Sequence, residues 1–389
     1  MRKATLAALI VISAATARAQ TMGDVLRSVE SNNMELKALQ KGNEAADLET
    51  RSENTLEALS VEYSPFFDKG VKGVASSEMV VSQGFDFPTL YGARKKEGRL
   101  QREARDAEYM AARRDVLLEA KNVCLDLIHM NKQKAVLEER RLNADRLLAR
   151  FQEKYDGGEA TALELNKVKM ERMNLEAELA QARTDRATAL QRLRALNGGL
   201  QIECTDTVYP PLPADDDGEM YDRAVSSDLT VRAAKAAVRA AEQGVKVSRQ
   251  GWIPKLEVGY RRNTEGPDAV HGFLVGGSIP LFANKNKVKS AKARHAEAQL
   301  QQAEAGIKAE NDARALVEEM RLLRDAAKTF DVPLMRQTLA LLDKAVSDGE
   351  MSVTDFYTEA DYVYRNLLAY MAIERKYHGI VADLCKNDL

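Results

Sequence analysis

The sequence predicts a mainly α-helical chain that also carries membrane-type β-strands, written as a duplication of one unit: a strand pair followed by a long antiparallel helical hairpin. Three observations predict it. Motifs recur at near-constant spacing: Tyr63-Ser64-Pro65 returns as Trp252-Ile253-Pro254, Phe87-Pro88-Thr89-Leu90 as Ile279-Pro280-Leu281-Phe282, and the segment from Tyr155 to Leu165 as Val346 to Phe356. The spacings are 254 − 65 = 189, 280 − 88 = 192 and 349 − 158 = 191. From Thr89 to Tyr155 there is no Pro, and Gly occurs only at Gly92 and Gly98; at about 1.5 Å per residue such a helix reaches roughly 100 Å. Finally, apolar and polar residues alternate in short runs ahead of each long helical stretch, over lengths that cross a bilayer when tilted.

The elements follow in chain order. Residues 1–19 begin with Arg2 and Lys3, continue through an apolar run from Leu6 to Ile12 and end on the small residues Ala17 and Ala19, the pattern of a cleavable secretory signal. Its apolar core is too short for a membrane helix, and no later stretch reaches the roughly 20 apolar residues required; no Cys follows the cleavage point to carry a lipid anchor. Asp24 to about Leu59 reads as one helix, with Leu26, Val29, Met34, Leu36, Leu39 and Leu48 recurring at three and four. Strand signals follow near Ser60 to Phe67 and Val74 to Phe87, the second with Met79, Val81, Phe85 and Phe87 on one face and Glu78, Ser82 and Asp86 on the other.

After the long helix, Gly157 and Gly158 break the pattern, and a return helix runs to about Asn197. The Gly198-Gly199 pair and the Pro210-Pro211-Leu212-Pro213 stretch mark a linker. The second half repeats the scheme. Glu219 to Gln250 reads as a helix; Trp252, Pro254, Leu256, Val258 and Tyr260 alternate with Lys255, Glu257, Gly259 and Arg261; Phe273, Val275, Ile279 and Leu281 alternate with Gly272, Gly276 and Ser278. Helices from Asn284 to about Ser347, bent at Pro333, and from Ser352 to Leu384 close the chain. The expected organisation is a signal peptide over 1–19, a first repeat over 20–197, a linker over 198–218 and a second repeat over 219–389.

Composition agrees with long packed helices: Ala, Leu, Glu, Lys and Arg dominate, with 9 Pro and 6% aromatics. A net charge of −2 points to no nucleic-acid surface. The three cysteines, Cys124, Cys204 and Cys385, lack metal spacing. In an exported chain one pair is a candidate for oxidation; the better reading is of isolated small apolar residues on helices and a linker. His129, His271, His295 and His378 have no partners at ligand or catalytic spacing, and no phosphate-binding Gly loop precedes a helix. Neither catalysis, cofactor nor bound metal is therefore expected.

Strands in a bilayer must close on themselves, because an open edge leaves backbone groups unsatisfied in hydrocarbon. One chain offers four strands, whereas the smallest membrane barrels use about eight. Copies must share one barrel, and a trimer supplies twelve strands, enough for an open lumen. The Ala-rich helices then suit close side-by-side packing, although Ala is also simply a good helix former.

With these features, the whole mature chain resembles the TolC-like outer-membrane efflux protein family. The most specific segments are Gly277-Ser278-Ile279-Pro280-Leu281-Phe282 leading into Asn286-Lys287, similar to the family's strand-to-helix junction, and Gln83-Gly84-Phe85-Asp86-Phe87-Pro88 in the first half. The resemblance implies a homotrimeric channel: a twelve-stranded barrel in the cell outer membrane, continuous with a helical tunnel in the periplasm of a Gram-negative bacterium. Its partners would be outer-membrane lipid, a periplasmic adaptor and an inner-membrane pump, with no nucleic acid.

The resemblance also places the adaptor-contacting tips at Gly157, Gly158 and Glu159 and at Gly349 and Glu350. It sets Asp355 at a pore constriction, with Glu359 one turn on in place of the family's usual second acid, where Thr358 stands. A basic residue of the family's closed-state ion pairs is Met351 here, so that latch does not carry over. Asp355 equally has a local reading, an acid favoured in the first turn of a helix. Trp252, Tyr63 and Tyr260 fit an interfacial aromatic belt, or packing near the barrel's base. The function expected is that of a passive exit duct for efflux; the outer-membrane component of a type I protein secretion system is the alternative. A periplasmic adaptor, with one hairpin among small β domains, and a structural coiled-coil protein of the envelope fit the sequence less well.

Overall fold

The computed structural model describes residues 21–70, 72–265, 268–279 and 284–389. The expected signal peptide and Pro280, Leu281 and Phe282 of the second junction lie outside the described residues. Nine α-helices and four strands are described: α1 (Met22–Asn32), α2 (Met34–Ser52), β1 (Ser60–Phe66), β2 (Ser76–Phe85), α3 (Pro88–Asp156), α4 (Ala162–Leu196), α5 (Asp217–Ser226), α6 (Leu229–Gln250), β3 (Lys255–Glu265), β4 (Asp268–Ser278), α7 (Lys287–Lys328), α8 (Val332–Asp348) and α9 (Val353–Leu384). No helix among the described residues is long and apolar enough to cross a membrane.

The chain divides into two compact units, each drawing on both sequence halves. One contains residues 116–214 and 318–383 with the N-terminal segment; the other contains 35–115 and 215–317 with the last residues. Helix α3 contributes to both.

All four strands belong to the second unit. They form one antiparallel sheet in the order β1-β2-β3-β4, so the two strand pairs are joined edge to edge through β2 and β3. The register aligns Val61 with Val81, Val81 with Tyr260 and Tyr260 with Phe273. Because side chains alternate across a strand, one face carries Val61, Tyr63, Met79, Val81, Val258, Tyr260, Phe273 and Val275, together with Gln83, Arg262 and His271. The other carries Glu62, Glu78, Ser82, Glu257, Gly259, Arg261 and Asn263. Strand pairing is tight at Gly259, where a Cβ would stand 2.6 Å from the Val81 carbonyl.

In the first unit, the helices pack through small apolar clusters. One joins Leu147 and Phe151 of α3, Leu165 and Val168 of α4, Val346 of α8 and Val353, Phe356, Ala360 and Tyr364 of α9. A second pairs Leu137 and Ala144 of α3 with Leu175 and Leu179 of α4.

Three helices expected to be continuous are broken. The first stops at Asn32 and restarts at Met34: Asn33 takes an extended ψ of 125° and its Nδ2 donates to the Leu196 carbonyl at 2.9 Å, tying the break to the end of α4. It then ends at Ser52 rather than near Leu59. The helix expected over Glu219–Gln250 splits at Ser227–Asp228, where Asp228 Oδ1 accepts from the backbone N–H of Thr230 (2.8 Å) and Val231 (2.9 Å) to cap α6. The helix expected from Asn284 begins at Lys287 and is interrupted rather than bent: α7 ends at Lys328, and Asp331 caps α8 with Pro333 in its first turn. There the missing proline N–H is one of the helix's orphan donors in any case. Trp252 and Pro254 precede β3 instead of lying in it, Val74, Phe67 and Phe87 lie outside their strands, and Ile279 follows the end of β4. Leu281 is outside the described residues.

Candidate functional site

Two tip turns and the strand sheet carry the features that bear on function. The first tip closes α3 onto α4. The Gly157 N–H donates to the Glu153 carbonyl at 3.0 Å, and those of Glu159 and Ala160 both reach back to Lys154 (2.8 and 3.2 Å). These bonds satisfy helix-end carbonyls that would otherwise lack partners. Gly158 makes this possible at φ 76°, a left-handed conformation in which a Cβ is strained. The second tip closes α8 onto α9 in the same way: Gly349 has φ 80° and its N–H donates to the Ala345 carbonyl, as does that of Glu350 at 3.0 Å.

The duplication extends to the caps that start the return helices. At the first tip Thr161 caps α4: its Oγ1 accepts from the Glu164 N–H at 3.2 Å and donates to Glu164 Oε2 at 2.8 Å. At the second, Ser352 Oγ accepts from the Asp355 N–H at 3.1 Å and donates to Asp355 Oδ2 at 2.7 Å. Thr161 and Ser352 stand at the same spacing as Gly158 and Gly349, so Asp355 is the second-repeat counterpart of Glu164. The Thr161 hydrogen bonds hold the Glu164 carboxyl below its ordinary range. Neither cap was among the expected site residues, although a hydroxyl residue with an acid three positions on is a readable helix-start signature.

The two tips share the apolar cluster of Leu165, Val168, Val353 and Phe356. Met351, where the resemblance implies a basic residue, packs against that cluster. Gly157, Gly158, Glu159, Gly349 and Glu350 are all exposed. Asp355 and Glu359 are exposed too, while Phe356 and Ala360 are buried; the two acids therefore share one outward stripe of α9, one turn apart. A partly buried cation that no motif announced lies farther along these helices: Arg140 bonds Glu171 at 3.1 Å and Glu178 at 3.3 Å and lies 4.6 Å over the ring of Tyr364. Burial pushes the Tyr364 hydroxyl up to about 12.

On the sheet, the apolar face is bare: Phe273 is 92% exposed and Val275 84%. Val61, Tyr63, Val258 and Tyr260 are exposed beside them, and Tyr260 hydrogen-bonds His271. The opposite face holds the Arg261–Glu78 ion pair at 2.8 Å. Tyr63 and Tyr260 thus share the apolar face; Trp252, half exposed, lies outside the strands. An apolar sheet face of this extent, rimmed by polar groups, marks contact with lipid or protein rather than water.

Residues 220–375 match the model of the outer membrane efflux protein family. The fold around it agrees. The outer membrane protein VceC of Vibrio cholerae superposes with a TM-score of 0.74 at 15% identity, over 94% of this chain and 95% of that one. The CmeC outer membrane channel of Campylobacter jejuni gives 0.73 at 16%, over 94% and 85%. The MtrE outer membrane channel of Neisseria gonorrhoeae, in its open state, gives 0.69 at 17%, over 94% and 88%. None of the curated proteins matches this sequence.

Proposed function

We propose that this chain is one subunit of an outer-membrane exit duct of a tripartite efflux system, a homotrimer that passively conducts substrates expelled by an inner-membrane pump through a periplasmic adaptor. The observation that carries the reading is the four-stranded sheet. It bares an apolar face, keeps an ion-paired polar face, and, among the described residues, leaves β1 and β4 as edges with a strand on one side only. In lipid, such edges require closure. Three copies close a twelve-stranded barrel with the polar face inward and a lumen too wide for side chains to fill.

The helical hairpins of the same subunits form the periplasmic wall, and their exposed turns at Gly158 and Gly349 are the surface offered to an adaptor. Conduction is diffusive, so no group on the chain needs to do covalent chemistry. Opening draws on the adaptor's differential contact with the open state. The two repeats, 20–197 and 219–389, are then equivalent quasi-subunits of the wall, a reading that their matching tip caps support.

Light scattering on protein extracted from the outer-membrane fraction, corrected for bound detergent, tests this directly. A trimer that also conducts ions in a planar bilayer is expected. A monomer recovered from the soluble periplasm would overturn the reading.

A further inference from the structure

Five cations of the unit that holds the sheet line one open cavity of about 490 Å³: Arg51 of α2, and Arg94, Lys95, Arg99 and Arg102 of α3. A volume of this order suits a small ligand or a headgroup. Asp47 is the one acid in its lining among the described residues, and it is already bound by both Arg102 and Arg105. Arg94 holds Asp86 at 2.6 Å, and Arg99 reaches Glu103 at 3.4 Å with its side chain 65% exposed. Arg51 and Lys95 are exposed. The cavity thus keeps more positive charge than the neighbouring acids balance.

Two hydrogen bonds tie it to the end of the sheet. Asn54 Nδ2, in the cavity lining, donates to the Tyr91 carbonyl at 3.2 Å, and the Tyr91 hydroxyl accepts at 3.1 Å from the N–H of Asp86, the residue after β2. Arg94 and Lys95 stand about 9–11 Å past the start of α3 at about 1.5 Å per residue. Headgroups add about 5–8 Å to each side of a bilayer's hydrocarbon core, and long basic side chains carry their charge toward that layer.

The helical period sets the side of the cavity. Residues two apart point nearly opposite ways, so Lys95 and Arg99 face away from Glu97 and Gln101. Those two line a separate cleft with Glu53, just past α2, and Val247 of α6. Four residues beyond Glu53, Glu57 lies against the polar face of the sheet: a Cβ on Gly84 would stand 2.7 Å from its Oε2, and it pairs with Lys255. The Glu97 cleft is therefore on the polar-face side, and the cationic cavity opens on the side of the bare apolar face.

We propose that this cavity binds the phosphodiester headgroup of an anionic membrane lipid at the helical end of the barrel, with the acyl chains along the apolar face of the sheet. The proposal rests on the outer-membrane reading above. Guanidinium groups donate to two phosphate oxygens at once, Lys95 adds a compact charge, and basic pockets beside membrane segments suit anionic headgroups.

The test is native mass spectrometry of the full-length protein from the outer-membrane fraction, titrated in detergent with phosphatidylglycerol or phosphatidylcholine. Wild type is expected to retain phosphatidylglycerol in preference, and Arg51→Gln/Lys95→Gln/Arg99→Gln to bind it roughly tenfold more weakly. The control Arg150→Gln/Lys169→Gln/Arg183→Gln, which removes the same charge from exposed positions of the other unit, should bind as wild type does. Equal retention of the two lipids, or equal loss in both variants, by protein that is trimeric in the outer membrane overturns the lipid site and leaves the duct reading intact. A soluble periplasmic monomer overturns the duct, and the lipid site with it. Inorganic phosphate separates the two sources of the same chemistry. Phosphatidylglycerol should raise the melting temperature of wild type where an equal concentration of phosphate does not; an equal rise with phosphate overturns the lipid in favour of a free anion.

Discussion

Gly158 and Gly349 hold the tip turns in left-handed backbone with nothing within 4 Å of where a Cβ would stand, so the cost of a side chain there is conformational alone. Gly158→Ala and Gly349→Ala each are expected to destabilise the first unit by about 1–2 kcal/mol. Gly157→Ala, at ordinary φ and with its nearest contact at 3.4 Å, is expected to change stability far less. Urea unfolding of the three variants checks the order, and an equal loss in all three would contradict it. The Glu164 cap makes a prediction in pH. Its carboxyl is held below the ordinary value by Thr161, so the unfolded state binds the proton more readily than the folded state. The cap's contribution is fully present above the usual glutamate range, near 4.5, and is lost as pH falls through the lowered folded value. The melting-temperature gap between wild type and Glu164→Gln should accordingly narrow on acidification below that point; a gap that widens there would reverse the assignment.

At the level of elements, the long helices and the strand pairs were legible because each follows a local rule: period 3.6 without Pro, or period 2 between turn residues. The breaks were not. At Asn33 the apolar pattern runs straight through, and the interruption is held by a bond to Leu196 more than a hundred residues away, which no local window registers. Asp228 and Asp331 are ordinary helix-capping residues hidden for the same reason, since apolar positions continue on both sides of each. Asn33→Ala should cost about 1–3 kcal/mol, because the Leu196 carbonyl loses a buried donor; thermal melting measures it. Arg140 was equally invisible as a single cation in a charge-rich helix, and only packing shows it bridging α3, α4 and α9. Arg140→Met keeps the volume but strands Glu171, whose side chain is 19% exposed. A loss of about 2 kcal/mol is expected, in the range of hydrogen bonds to charged groups. Arg140→Lys should recover only part of it, because the paired contacts need the planar fork.

For the whole molecule, the sequence assigned each strand its two faces, with Met79 and Val81 opposite Glu78 and Ser82 and with Val258 and Tyr260 opposite Glu257 and Gly259, but not how the strands join. The strand register now assigns Phe273, Val275, Val61 and Tyr260 to one surface, and long-range pairing, which alternation alone leaves open, sets that assignment. The acids at the second tip remain the sharpest question of mechanism, because Asp355 has a local task as well: its carboxylate and N–H both bind Ser352. The two roles separate by substitution. Ser352→Ala removes the cap and leaves the charge, so it should lower stability by about 1 kcal/mol and leave the ion selectivity of the bilayer-inserted protein unchanged. Asp355→Asn keeps an oxygen to accept from Ser352 and removes the charge. Repeated around a threefold axis, a ring of carboxylates at a constriction favours cations, so Asp355→Asn should reduce cation over anion permeability with little change in melting temperature, and adding Glu359→Gln should reduce it further, as the two acids share one stripe of α9. Reversal potentials in a salt gradient measure this. If the double variant conducts with wild-type selectivity, the acids serve the helix start alone and the constriction lies elsewhere.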